Sequence, residues 1–384
     1  MSHGEAAMLP FEQRNRHFDR LVATEGLMWL GQNTNHFTPP AAVTEAMHAT
    51  IDEERYHVYA PPVGLEELRA LIVEDLGLPG LSAMVTDGAV VSLYQSCHAL
   101  LRPGDSMVTT DPSWAWPMKF ARSIGAAVRQ IPIYGPEHGY RLDPERLEAE
   151  IDETTRLIYF VDPNNPLSTV ATAREIERIV EIAERHDCVL IQDCTYRDFA
   201  YEHHLAARLA PERVITITSF SKWLGLAGLR VGALVATPQR VQQLADAPPN
   251  VLGSSILAQR AAIAGLKHKA AWFPEVLRRQ RGNQARIRAA VEAVPGLVMP
   301  VAQANGNFVI IETGEAGVRP EALVQAMGQR KIMIRQGSYH TPTFGDRFVK
   351  VSTTVPEAWA DAFCESLAEA VEQARGLNSD SALF

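Results

Sequence analysis

Cysteine is scarce in this chain: Cys97, Cys188, Cys194 and Cys364 are the only four among 384 residues, with neither paired nor metal-ligand spacing. That pattern excludes a disulfide scaffold or a zinc module, and reduced thiols in a cytoplasm are the simple reading. Long apolar runs are missing as well, so no segment is suited to cross a bilayer. The opening MSHGEAAMLPFEQRNRHFDR carries acids and lacks an apolar centre, and does not read as a secretory signal. Basic charge is in deficit, with 36 Lys and Arg against 45 Asp and Glu and a net charge of −9. Nucleic acid is therefore a poor partner, because phosphate backbones are met by clustered cations. A small anionic ligand remains open, since a pocket can be basic on an acidic protein. Internal repeats and low-complexity tracts are absent.

What is present is an ordinary globular composition, 46% hydrophobic and 21% charged, in a chain longer than one core usually supports. Between about residues 84 and 236, short β-rich runs alternate with amphipathic stretches. The runs are AMVT (83–86), SMVTT (106–110), AAVRQIPI (126–133), RLIYFV (156–161), CVLIQD (188–193), RVITITS (213–219) and RVGALVA (230–236). They are nearly continuous in apolar residues, as strands covered on both faces are. The alternation predicts a three-layer α/β/α domain around a mainly parallel sheet. Thr172-Ala-Arg-Glu175 reads as a capping box, and Thr237-Pro238 as another helix start. Two later runs, GNFVIIE (306–312) and FVKVST (348–353), have a helix between them and another after them. They predict a smaller α+β domain, to which about the first forty residues return. The expected division is 45–285 for the large domain, with 1–44 and 286–384 making the small one.

The segment Ser219-Phe-Ser221-Lys222-Trp-Leu-Gly225-Leu-Ala-Gly228-Leu-Arg230-Val-Gly232 carries the sharpest chemistry. A lysine whose pKa is lowered can form an imine with a carbonyl cofactor. Hydroxyls and an arginine close by can hold a phosphate, and glycines let the backbone pass near a bulky ring. Asp193-Cys-Thr-Tyr196 ends an apolar strand, where open α/β sheets bind ligands. A carboxylate there can keep a pyridine nitrogen protonated, while the tyrosine can reach a ring oxygen. Asn165, in Asp162-Pro-Asn-Asn165-Pro166, can reach the same oxygen, although Asn-Pro repeats also simply mark turns. Gly88, Ala89 and Val90 open a helix and offer backbone amides to a phosphate. Each of these has a bland reading on its own: a surface lysine, a strand-end acid, a turn.

Taken in this order, the four elements resemble the fold-type-I pyridoxal-phosphate enzymes, the aspartate and histidinol-phosphate aminotransferase superfamily. The lysine motif of that family is matched by Ser219, Ser221, Lys222 and Arg230, its D-x-x-Y by Asp193 and Tyr196, and its N-P-x-G by Asn165 and Pro166. The aromatic ring-stacking position is matched by Trp114. Tyr59, Gly64, Leu68 and Arg69 match a further motif, whose tyrosine in relatives reaches the cofactor phosphate of the neighbouring subunit. The resemblance implies pyridoxal 5'-phosphate as cofactor, bound by Lys222 as a Schiff base, in a homodimer with sites at the subunit interface. It also implies a seven-stranded large domain, a small domain that closes over substrate, and ping-pong transamination of a small amino acid or amine, with no metal. A decarboxylase, lyase, cyclase or oxidase on the same fold would share the cofactor residues.

Three positions depart from the family. Ser168 stands where its glycine is usual. Lys350, in Phe348-Val-Lys350-Val-Ser352, stands where an arginine grips the substrate carboxylate, and an ammonium cannot form the bidentate fork. Either Lys350 faces substrate or it points to solvent from an exposed strand; Arg335 resembles an extra anion-binding arginine of one branch, and Arg347 is another candidate to compensate. Gly31 and Asn33 occupy a segment that lines the pocket in relatives, with Asn33 replacing proline; the polar run through Asn35 and His36 can read substrate or satisfy its own backbone. The pair His203-His204 shows no ligand spacing and reads as bland. A DNA-binding regulator on this fold would need a fused domain that the sequence before the first elements is too short to make. A dinucleotide enzyme would need a glycine-rich turn whose spacing Thr86-Asp87-Gly88-Ala89 lacks.

Overall fold

A computed structural model describes residues 10–246 and 252–377; residues 1–9, where the opening of the chain was read as no secretory signal, lie outside the described residues. In chain order the strands are β1 (Met28–Trp29), β2 (Ser82–Thr86), β3 (Ser106–Asp111), β4 (Ala127–Pro132), β5 (Thr155–Val161) and β6 (Val189–Asp193). They continue as β7 (Val214–Ser219), β8 (Gly232–Ala236), β9 (Phe308–Glu312), β10 (Ile332–Met333), β11 (Arg335–Gln336) and β12 (Phe348–Ser352). Seven of them make one sheet in the order β2-β8-β7-β6-β5-β3-β4. It is parallel from β7 across to β4, and β8 runs antiparallel to both its neighbours. The inner β-rich runs become these strands because their side chains are buried on both faces, whereas edge strand β4 buries only Ile131; β5, β6 and β7 supply Leu157, Ile158, Leu190, Ile191, Ile215 and Ile217 to the core.

The intervening helices start where local chemistry says they should. Thr172 Oγ1 accepts from the Glu175 amide at 3.3 Å while Glu175 accepts from the Thr172 amide at 2.7 Å. This reciprocal cap opens helix Ala173–Arg185, which buries Ile176, Ile179, Val180, Ile182 and Ala183 on one face. Thr237 caps Pro238–Ala245 by a one-way bond, accepting from the Arg240 amide at 3.3 Å.

Register does the rest of the positioning. Val161, Asp193 and Ile217 stand side by side, as do Thr86, Gly232 and Ser219. The carboxyl ends of β2, β5, β6 and β7 and the start of β8 therefore meet along one edge of the sheet, where ligands of open α/β sheets bind.

A second cluster of buried residues gathers around the three-stranded antiparallel sheet β11-β12-β9 and helices Pro320–Gln329 and Glu357–Arg375. The N-terminal stretch joins it, with β1 pairing in parallel with β10. Strands of two residues leave no periodicity to read, so β1, β10 and β11 had no counterpart in the sequence reading. Helix Ile256–Glu292, 37 residues and about 55 Å long, ties the two clusters together. Its first half packs Ala258, Ala261, Ala262 and Phe273 into the main core, and its last turns pack Ile287 and Val291 into the second.

Ser168 explains why glycine is usual at its place, since its φ is +66°, in the left-handed region that favours glycine. What the serine adds is a link between the two clusters: its hydroxyl accepts from the Gly306 amide at 2.6 Å and its carbonyl from the Asn305 amide at 2.7 Å. Ser168→Ala should cost about 1 kcal/mol, because the strain stays and the hydroxyl bond goes. Ser168→Gly relieves the strain, so its thermal midpoint should lie between those of wild type and the alanine variant. An alanine variant as stable as wild type would remove this bond from the account.

Candidate active site

β7 ends at Ser219, whose hydroxyl accepts from the Ser221 amide at 3.2 Å and so shapes the turn that delivers Lys222. Phe220, Trp223 and Leu224 anchor this turn in the core. Gly225 follows at φ +79°, where a Cβ would lie 2.7 Å from the Asn35 carbonyl oxygen. Lys222 opens on a cavity of about 370 Å³ and is half-buried there, with its Nζ donating to the Gln32 carbonyl at 3.2 Å. Enclosure by protein and the nearby Arg230 charge push its pKa down to about 8, against an opposing pull from Asp193.

Asp193 is buried at the end of β6. Burial raises its carboxyl above the usual range, while the hydrogen bonds and the Lys222 charge work the other way. Thr195 donates to Oδ1 through its hydroxyl at 2.6 Å and its amide at 3.1 Å, and the Tyr159 hydroxyl donates to Oδ2 at 3.4 Å. The hydroxyl of Tyr196 accepts from Asn33 at 3.2 Å and from Asn165 at 3.3 Å. Burial holds this phenol protonated.

The opposite wall is built for an anion. Helix Ala89–Leu100 begins directly after Gly88, with no side-chain cap on its first amides. Gly88 has φ +84°, which favours glycine, and a Cβ on it would lie 2.4 Å from the Arg230 guanidinium and displace it. Arg230 itself takes the left-handed conformation at φ +54°, and its guanidinium donates to the carbonyls of Ala227 at 2.9 Å and Asp87 at 3.2 Å.

Most residues singled out in the sequence thus converge. Ala89, Val90, Trp114, Asn165, Asp193, Tyr196, Ser219, Ser221, Lys222 and Arg230 all line the one cavity. Gly88 sits behind Arg230, and Tyr59 is 75% exposed on the surface, beside exposed Tyr56 and Val58. Lys350 does not point to solvent: it is 3% exposed, and its ammonium donates to Asn165 Oδ1 at 3.4 Å. Arg335 is its direct cross-strand partner. Asn33 reaches Tyr196 and so does more than satisfy its own loop, whereas Asn35 does hold its loop, accepting from the Phe37 amide at 2.9 Å. Gly31 is favoured by packing, since a Cβ there would lie 2.7 Å from Met333 Sδ and 3.0 Å from the Ile334 carbonyl carbon. His203 lies 3.2 Å from buried Asp162 and does not line the cavity.

The model of the family described as aminotransferase class I and II matches residues 25–367. The chain belongs to that family. Its relatives include an aspartate aminotransferase of Pyrococcus horikoshii, 28% identical over 305 residues that cover 76% of this chain and 77% of that one. A histidinol-phosphate aminotransferase of Cupriavidus pinatubonensis is 30% identical over 363 residues, covering 90% and 89%. The fold is that of Thermus thermophilus aspartate aminotransferase with maleate, at a TM-score of 0.81 and 23% identity, covering 96% of this chain and 99% of that one. N-succinyldiaminopimelate aminotransferase of Mycobacterium tuberculosis is similar too, at 0.83 and 22%, covering 95% and 97%. The protein is thus an aminotransferase, and among its described residues no helix is long and apolar enough to cross a membrane.

Sequence reasoning missed four residues of the aminotransferase cavity: Trp116, Val161, Thr195 and Ala227. Thr195 was legible, lying inside Asp193-Cys-Thr-Tyr196; Trp116 depends on how the chain turns after β3. The charge balance at Lys222 gives a direct test. Acylation of Lys222 in cofactor-free protein, followed by peptide mass spectrometry, should inflect near pH 8. Arg230→Gln should move the inflection up and Asp193→Asn should move it down. An inflection at the value of a free lysine would contradict the account.

Proposed function

We propose that this aminotransferase holds pyridoxal 5'-phosphate in the Lys222 cavity and transfers the amino group of a small carboxylate-bearing amino compound by a ping-pong cycle. One observation carries the reading: a half-buried amine of lowered proton affinity, a buried carboxylate and a Tyr–Asn pair share one cavity with a glycine-arginine anion cradle. The donor set fits the cofactor group by group. Lys222 would hold the aldehyde carbon and Asp193 the ring nitrogen. Tyr196 and Asn165 would hold the ring oxygen, and Trp114 the ring face. Ser219, Ser221, Arg230 and the amides that follow Gly88 would hold the phosphate.

When bound, the cofactor supplies a sink for the electron pair left as the substrate α-carbon loses its proton. The protein's residues do the rest. Lys222 moves that proton, since an amine with a pKa of about 8 is present in both forms near neutrality. Asp193 maintains positive charge on the ring nitrogen, and Thr195 and Tyr159 fix the orientation of its two oxygens. Asn33 and Asn165 orient the Tyr196 hydroxyl. Lys350, beside Asn165, receives the substrate carboxylate, and Arg335 adds positive field behind it.

Residues 45–285 serve as the cofactor domain, and 1–44 with 286–384 as the domain that closes on substrate. Exposed Tyr56, Val58 and Tyr59 support a homodimer in which Tyr59 serves the partner's site. Buried free thiols at Cys97, Cys188 and Cys194 suit the cytoplasm.

Three measurements test this reading. Protein supplied with pyridoxal 5'-phosphate should gain the visible absorbance of a lysine-bound cofactor and turn over a panel of amino donors, and Lys222→Ala should lose both, with activity down at least about a thousandfold. Mixing Lys222→Ala with Tyr59→Ala subunits should restore activity to a fraction of the dimers, because each hybrid keeps one site free of either change; two inactive parents whose mixture stays inactive would refute the shared site. Lys350→Arg should shift preference toward ordinary α-amino acids, and unchanged relative rates would take Lys350 out of the substrate pocket.

A further inference from the structure

Lys350 and Ser352 stand two residues apart on β12 and so share one face of the strand. Phe308, paired with Ser352 across the sheet, meets the Tyr196 ring edge-on at 4.9 Å, so that face looks onto the tyrosine. Each of the two residues reaches one of the asparagines that meet the Tyr196 hydroxyl. Lys350 donates to Asn165 Oδ1 at 3.4 Å. The Ser352 hydroxyl donates to Asn33 Oδ1 at 3.4 Å and accepts from the Asn33 backbone amide at 2.8 Å. Asn307 Nδ2 holds the Asn33 carbonyl at 2.9 Å. Asn33, Asn165, Lys350 and Ser352 are all buried, so water does not compete for these bonds.

A side-chain amide has a donor end and an acceptor end of nearly the same shape, and its neighbours decide which end faces where. Donors at both Oδ1 atoms turn both Nδ2 groups toward Tyr196, at 3.2 Å from Asn33 and 3.3 Å from Asn165. Two N–H groups then fill both lone pairs of the hydroxyl, and its single proton is left for a third acceptor. With either amide reversed, its Oδ1 would take that proton instead. The proline usual at position 33 could neither adopt φ +55° nor offer an N–H to Ser352, so the Ser352–Asn33 arm belongs to the departure of this chain from its family.

We propose that Ser352 is a positioning residue that fixes the orientation of Asn33 and thereby commits the Tyr196 hydroxyl as donor to the ring oxygen of the cofactor. The inference rests on the cofactor reading given above and adds how this site sets its working pH. A donor on the ring oxygen competes with the proton shared between that oxygen and the Lys222 nitrogen, so the nitrogen gives up its proton at lower pH. The titratable and charged groups that face Tyr196 are Asp193 and Tyr159 from the sheet, Lys222 and Arg230 across the cavity, Tyr339 from the turn after β11 and Lys350 from β12. None of them is altered in the variants that test the arm.

The measurement is the pH midpoint at which the visible absorbance of the lysine-bound cofactor changes, followed in substrate-free holoenzyme. Asn33→Gly suits the left-handed backbone and removes the amide, and its midpoint should rise by about half a unit or more, the effect of one hydrogen bond. Ser352→Ala should also raise the midpoint, by no more than Asn33→Gly does. Ser352→Ala added to Asn33→Gly should cause no further shift, because the serine acts only through the amide. Ser352→Thr keeps the hydroxyl and should titrate with wild type. A serine that merely packs predicts a shift that persists without the Asn33 amide, and that result would overturn the inference, as would wild-type midpoints in Ser352→Ala and Asn33→Gly. Wild-type protein that gains no visible band with pyridoxal 5'-phosphate defeats the cofactor reading. A wild-type band with unmoved midpoints in the variants defeats the Ser352 inference alone.

Discussion

An amine enclosed by protein is costly to keep charged, and Lys222 is held in that condition by its surroundings. Arg230 pushes its proton off and Asp193 draws it back, which leaves the amine poised near pH 8. Everything else in the site serves this balance. Phe220, Trp223 and Leu224 bury the turn on which Lys222 stands, and Gly225 lets that turn pass the Asn35 carbonyl. Thr195 and Tyr159 donate to the two oxygens of Asp193 and fix the orientation of the carboxylate.

The scaffold supplies this geometry through register. Because β5, β6 and β7 are parallel and in step, their carboxyl ends carry Asn165, Asp193 and Lys222 to one edge. β8 runs the other way, so Arg230 and Gly232 enter at that same edge, opposite Thr86 and Gly88. A slip of one residue in any of these pairs would turn a functional side chain to the wrong face of the sheet. The long helix Ile256–Glu292 and the Ser168 contacts to Asn305 and Gly306 then set the second cluster against this edge, which brings Lys350 to Asn165.

Where the chain departs from its family, the surroundings compensate. A serine in a glycine's conformation spends its hydroxyl on a bond across the two clusters. Asn33, in the left-handed region at φ +55°, turns its side chain to the Tyr196 hydroxyl and so joins Asn165 in orienting it. Lys350 is buried across from Arg335 and close to Asn165, where a solvent-facing lysine was the other reading.

By itself the sequence determined the α/β class, the nine longer strands and most of the residues that share the Lys222 cavity, because these are written in contiguous stretches: apolar runs, caps, and a lysine followed by glycines and arginine. It equally determined that Ser219, Lys222 and Arg230 belong together, since they lie on one short loop. Only the tertiary structure decided that Lys350 is buried near Asn165, that Asn33 reaches Tyr196, and that the Ser168 hydroxyl takes the Gly306 amide. Each of those facts joins residues far apart in the chain, through strands of two residues or turns with no periodicity of their own. Burial and charge are sums over neighbours that local pattern does not contain, and only folding brings those neighbours into range.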